Sequence, residues 1–191
     1  MQILKDHHRI SILEAAMTEF QTHGFERATM RAIALEAKMS VSNLYKYFSS
    51  KHQLFEALVG EYARAYMANT SAFLEEEVDD IYTEENMRAV TERLVRAIWM
   101  HRRRFSLLTT KSHGTPYGDF KQGLILELGT HLIAGNRDKT RFCDAMIRII
   151  ACNIIDGIVA LTLISTTEAD FQNNIGSFIR YHFRSLSLFH D

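Results

Sequence analysis

The segment Thr29–Phe48, TMRAIALEAKMSVSNLYKYF, followed at once by Ser49-Ser50-Lys51, decides how this chain is read. Thr29 is placed to cap a first short helix whose inward face is Ile33, Ala34 and Ala37, and Ser40 to cap a second, Val41–Phe48. Lys38-Met39-Ser40 leaves room only for a tight turn between them, which gives helix-turn-helix proportions. From Ala37 to Phe55 there is no Asp or Glu, whereas Lys38, Lys46 and Lys51 bring positive charge. Ser40, Ser42, Asn43, Tyr45 and Tyr47 add hydrogen-bonding groups to the same stretch. A surface so composed suits a polyanionic duplex.

The order Thr29-Met30-Arg31-x-Ile33-Ala34, then Met39-Ser40-x-x-x-Leu44-Tyr45-x-Tyr47-Phe48, then Ser50-Lys51-x-x-Leu54, resembles the N-terminal domain of TetR-type (tetracycline-repressor-like) transcriptional regulators over Ile10–Val59. The resemblance implies an all-α homodimer. Residues 1–50 would be a three-helix helix-turn-helix DNA-binding domain, and residues 51–191 a helical ligand-binding and dimerisation domain. It implies double-stranded operator DNA and an unidentified small-molecule inducer as partners, with no cofactor, no metal and no enzymatic activity. Thr29, Ser42, Tyr45, Tyr47 and Lys51 resemble the family's phosphate-contacting positions, and Arg31, Val41, Asn43 and Lys46 those that read base edges. Arg31 could reach guanine with two bonds and Asn43 could read adenine. One position departs from the family. Lys38 stands where a glycine is usual, and if the turn needs a positive φ there, the lysine costs about 1 kcal/mol over glycine.

The remaining composition fits this reading. A chain of 191 residues with 47% hydrophobic residues can fill a sizeable core, and a single proline, Pro116, leaves long helices uninterrupted. The net charge of −1 is low for a nucleic-acid binder, but the acids of the first sixty residues avoid the Ala37–Phe55 stretch, and distribution outranks the total. No basic-then-apolar leader opens the chain, and Cys143 and Cys152 fall on opposite sides of one helix, so a reduced, cytoplasmic protein is expected. Ile149–Ile164 is apolar but short of the ~20 residues that span a bilayer, and it carries Asn153 and Asp156; it reads as a buried interface helix, with Arg148 or a group of a partner chain as the candidate partner for a buried Asp156. No H-E-x-x-H, G-x-S-x-G or glycine-rich phosphate loop occurs.

Outward from the reading segment, Ile10, Leu13, Met17 and Phe20 predict a helix over Lys5–His23 stopped by Gly24, and Ser50 with Gln53 predicts a capping box opening a helix through Leu54, Leu58, Tyr62 and Met67. Glu75–Glu85 is a solvated acidic connection. Met87, Val90, Leu94 and Ile98 form the next stripe, which places Arg102–Arg104 at a helix C-terminus and points His101 inward. Lys111–Gly123 reads as a loop and Leu124–Ile133 as a helix. Phe73, Trp99, His101, Phe105, Tyr117 and Phe120 are the candidates for lining a ligand pocket.

The segment Thr140–Ile164 is apolar on two faces, with Phe142, Met146, Ile149, Ile150 and Leu161 on one and Ile147, Ile154, Ile155 and Ile158 toward the other. Asp170–Leu186 repeats the pattern with Phe171, Ile175, Phe178 and Ile179. A helix apolar nearly all round must be covered nearly all round. A four-helix interface between two copies is therefore expected, using Ile150, Ile154, Gly157, Ile158, Leu161, Ile175, Phe178 and Ile179, with Gly157 letting two backbones approach. The competing function is a helical small-molecule-binding or adaptor protein without specific DNA binding.

Overall fold

Gly24 turns the chain out of its first helix with φ 73 and ψ 164, a region open almost only to glycine. In the computed structural model, which describes residues 2–75, 83–135 and 143–187, helix α1 (Gln2–Arg27) breaks there. The break delivers Phe25 onto Phe20, with ring centroids 5.8 Å apart, and its N–H to the carbonyl of Lys111 at 3.0 Å. Helices α2 (Met30–Glu36) and α3 (Val41–Tyr47) follow, then α4 (Lys51–Glu75), α5 (Glu84–Ile98), a 3-10 turn (Trp99–His101), α6 (Arg102–Thr110), α7 (Phe120–Gly135), α8 (Asp144–Ile164) and α9 (Glu168–Ser187). The described elements are all helical, as the composition implies.

The chain forms two compact units. The first gathers the residues up to Ala65 together with Arg103–Phe120, and the second Tyr66–Arg102 with the residues from Lys121 onward. The first half of α4 and the whole 103–120 stretch thus pack with α1, α2 and α3. In the first unit Ile12, Phe20, Phe25, Ile33, Leu44, Phe48, Leu54 and Phe55 are buried, each large side chain contributing about 1.5–3 kcal/mol. Arg104 donates from Nε to the carbonyl of Leu58 at 2.8 Å, and Arg103 reaches Gln21 at 3.0 Å and Glu14 at 3.1 Å.

In the second unit α5 and α8 both pack on α9. Of the expected α5 stripe Met87, Val90 and Ile98 are buried and Leu94 is half-buried, with Val95 buried beside it, and Trp99 stacks on Phe171 at 5.4 Å and 24°. The 3-10 turn changes the helical phase after Ile98, so His101 is exposed instead of inward-pointing. The same turn puts Arg102–Arg104 at the start of α6, not at the end of α5. Arg102 lies 4.4 Å over the Trp99 ring.

The two faces of α8 separate cleanly. Ile147, Ala151, Ile154, Ile158 and Val159 are buried within the chain, while Met146, Ile149, Leu163 and Ile164 are exposed. This corrects the expected interface, because Ile154, Ile158, Ile175 and Ile179 belong to the unit's own core. Gly157 is occupied from within as well. A Cβ there would overlap the ring of Phe178 of the same chain, so its smallness serves α8–α9 packing. Ile150, Leu161 and Phe178 are half-buried. Asn153 and Asp156 are exposed, and Asp156 pairs with Lys121 at 2.9 Å, not with Arg148. Lys121 holds the Asp156 carboxyl below the usual carboxylate range. By length and composition α8 is apolar enough to cross a membrane, with a mean hydropathy of 2.0 over its most apolar window, of which 33% is buried. Most of Glu75–Glu85, together with Phe142, lies outside the described residues.

Lys38 adopts φ 55, as the departure from glycine implied. Gly24→Ala meets no close atom, the nearest being Lys111 Cδ at 3.8 Å, so its cost is backbone strain alone. We expect it to destabilise by about 1–3 kcal/mol and Lys38→Gly to stabilise by up to about 1 kcal/mol, both read from urea unfolding. Equal and small effects at the two positions would show that neither φ is held as described.

Candidate nucleic-acid interface

Local hydrogen bonds build the reading face before any side chain is free to contact a ligand. Thr29 Oγ1 accepts from the N–H of Ala32 at 3.1 Å and Ser40 Oγ from the N–H of Asn43 at 3.2 Å, so both caps form where the sequence placed them. The N–H of Met39 closes the turn on the carbonyl of Ala34 at 2.9 Å. Ser50 Oγ accepts from the N–H of Gln53 at 3.1 Å, and the Gln53 side chain accepts in return from the N–H of Ser49 at 2.6 Å, one residue earlier than in the usual box. Leu44 and Phe48 are buried, which fixes the opposite side of α3 as the outer one.

On that outer side Arg31, Ser42, Tyr45 and Lys46 are exposed, and Val41 and Asn43 are half-buried. The structure brings these six to α2 and α3 of the first unit, as the spacing implied. Thr29 is exposed, and its Oγ1 accepts in the cap while the hydroxyl hydrogen remains to donate. Tyr47 has its hydroxyl 3.2 Å from His8 Nδ1, and Arg9 lies 4.8 Å over Phe48, so the first turns of α1 support the end of α3. Sequence reasoning missed His8, since nothing in the spacing of α1 shows which residue of α3 it meets. It also missed Leu35, 79% exposed one turn after Arg31.

Lys51 has a structural task. Its Nζ donates to the carbonyls of Glu26 at 3.0 Å and Ala28 at 2.9 Å and stands 4.5 Å over the Phe25 ring. Two of three ammonium hydrogens thus hold the link between α1 and α2. The candidate ligand-lining residues divide between the units. Phe73, Trp99 and His101 belong to the second, while Phe105, Tyr117 and Phe120 belong to the first. Tyr117 donates to Glu56 Oε2 at 2.5 Å, with Arg64 on the other Glu56 oxygen at 2.9 Å. Burial, then the bond to Glu56, pushes the Tyr117 phenol up to about 12, and the same bond with Arg64 holds Glu56 below its usual value.

Residues 12–58 match the profile of Bacterial regulatory proteins, tetR family. Over this N-terminal segment the chain is similar to the TetR family. Over 55 residues it is 40% identical to the uncharacterized HTH-type transcriptional regulator YfiR of Bacillus subtilis (strain 168), a match spanning 29% of this chain and 27% of that protein. Over 57 residues it is 44% identical to the HTH-type transcriptional repressor KstR of Mycobacterium tuberculosis, spanning 29% of this chain and 26% of that protein. The chain thus matches only about a quarter of the length of each of these curated relatives. The fold extends further. A TetR-like transcriptional regulator from Rhodococcus sp. RHA1 superposes with a TM-score of 0.61 at 20% identity, covering 94% of this chain and 96% of that one.

Lys51→Met keeps the aliphatic stem and removes the ammonium, leaving the Ala28 carbonyl without its charged donor. A loss of about 1–3 kcal/mol in urea unfolding is expected. Unchanged stability would mean that the ammonium does not hold the α1–α2 link.

Proposed function

We propose that the protein is a ligand-responsive transcriptional regulator, most simply a repressor, that binds a pseudo-palindromic operator as a homodimer in the cytoplasm. The supporting observation is an acid-free TetR-family α3 whose outward side chains are Ser42, Tyr45 and Lys46, with Arg31 on α2 beside them. In this reading Arg31, Val41, Asn43 and Lys46 address base edges. Thr29, Ser42, Tyr45 and Tyr47, with the remaining hydrogen of Lys51, address phosphates. The curated relative named as a repressor supports the sign of regulation.

A second copy is the cover proposed for the exposed α8 side, where Met146, Ile149, Leu163 and Ile164 stand in water. Two α3 helices then enter major grooves about one helical turn, ~34–36 Å, apart. An inducer held in the second unit lowers operator affinity only by as much as it prefers a conformation unable to meet that spacing.

Selecting bound fragments from genomic DNA at physiological salt should return a two-fold-related sequence. Arg31→Ala should relax preference at one position per half-site, costing about 1–3 kcal/mol. Retention of no specific duplex would leave a small-molecule-binding protein without operator recognition. Ile149→Lys places a charge on the exposed α8 side without touching the core, so it should leave folding intact and weaken the dimer at least tenfold, about 1.4 kcal/mol. Light scattering that finds a folded wild-type monomer at micromolar concentration would remove the α8 interface.

A further inference from the structure

Glu127, on α7, meets Ser71, on α4, within the second unit. Ser71 Oγ is bonded to Glu127 Oε1, and it lies 3.1 Å from the carbonyl of Met67 as well. A serine has one hydroxyl hydrogen, so it can serve only one of these acceptors at a time. The other carboxylate oxygen, Oε2, is sealed from solvent and has no hydrogen-bond partner among the described residues. No described ion pair involves Glu127. A carboxylate served by one shared neutral donor is left short of the partners its burial requires.

The surroundings fit an incomplete site. Met67, Ser71 and Leu74 share one side of α4, and Leu124, Glu127 and His131 one side of α7, by their spacing of three and four residues. Beyond Tyr66 no described side chain of α4 is fully buried, and beyond Gly129 none of α7 is. The two helix ends that carry Ser71 and Glu127 thus bear half-buried, largely apolar side chains, among them Met67, Phe73, Leu74 and Leu128.

We propose that Glu127 anchors a small-molecule site that takes a protonated amine carried on an apolar body. The inference rests on reading the second unit as the sensing part of a regulator. A carboxylate oxygen only accepts, so its complement is a donor, and a charged donor offsets the desolvation of the carboxylate better than a neutral one. Ser71 fixes Oε1 and leaves Oε2 facing the ligand.

The experiment uses the full chain with 4-phenylbutylamine and its isostere 4-phenylbutanol, followed by calorimetry and by the emission of Trp99, which lies in the same unit. The amine should bind more tightly than the alcohol, and Glu127→Gln should weaken the amine roughly tenfold, about 1.4 kcal/mol, while changing the alcohol far less. Ser71→Ala keeps the carboxylate and should retain the preference for the amine, which guards against a Glu127 variant that fails to fold. Equal binding of the two probes, binding of neither, or amine affinity indifferent to Glu127→Gln overturns the proposal. Retention of operator DNA by the ligand-free protein is measured in parallel. An amine that binds a protein unable to hold operator would sink the regulator reading alone, and operator binding without an amine site would sink this one alone.

Discussion

Three phenylalanines from separate stretches of the chain must share one dry volume, and the first unit is arranged around that requirement. Phe20, Phe25 and Phe55 lie 5.2 to 5.8 Å apart and are almost wholly buried. Phe20 and Phe25 are five residues apart, so an unbroken helix would point them in directions 140° apart. The conformation of Gly24 allows both rings onto Phe55, and the carbonyls that the break leaves near residues 26–28 are gathered by Lys51. The start of α2 depends on that closure, and α3 depends on α2 through a turn held by backbone bonds from Lys38 to Leu35 and from Met39 to Ala34. Thus the orientation of the reading face is set by packing on its far side.

This arrangement assigns the polar residues of the reading segment to two classes. Thr29 and Lys51 were expected at phosphates, yet Thr29 also caps α2 and Lys51 also binds two carbonyls, while Ser40 caps α3. Arg31, Ser42, Tyr45 and Lys46 are exposed. A hydroxyl that accepts in a cap still has its hydrogen to donate, and the lysine retains one hydrogen, so the committed groups add rigidity along with whatever they donate.

Where local chemistry decides, the sequence was readable. The two caps, the tight turn with its strained lysine, the stop at Gly24 and the stripe of α5 all depend on residues within four positions of one another. The 3-10 turn at Trp99–His101 was not readable, because its phase change comes from seating Trp99 on Phe171, seventy-two residues later. The same holds for α8, whose two apolar faces were visible. Which face the chain itself covers depends on Phe171, Ile175 and Phe178 of a different helix. For the candidate ligand site, aromatic content pointed to Trp99 and Phe105, whereas the group left unsatisfied is an ordinary-looking glutamate. A buried oxygen without a donor cannot be seen in a sequence at all.

The assignment of residues 103–120 to the same unit as α1–α3 bears on how the protein emerges from the ribosome. Arg104, Lys111 and Tyr117 supply bonds to Leu58, Phe25 and Glu56, so the first unit cannot close when Ala65 has been made. It must wait for more than fifty further residues, roughly 3–10 s at ordinary elongation rates. During that interval Phe25 and Phe55 are synthesised but lack part of their final cover. A nascent chain of this design exposes this aromatic cluster early, and any slowing of translation between 65 and 120 prolongs the exposure.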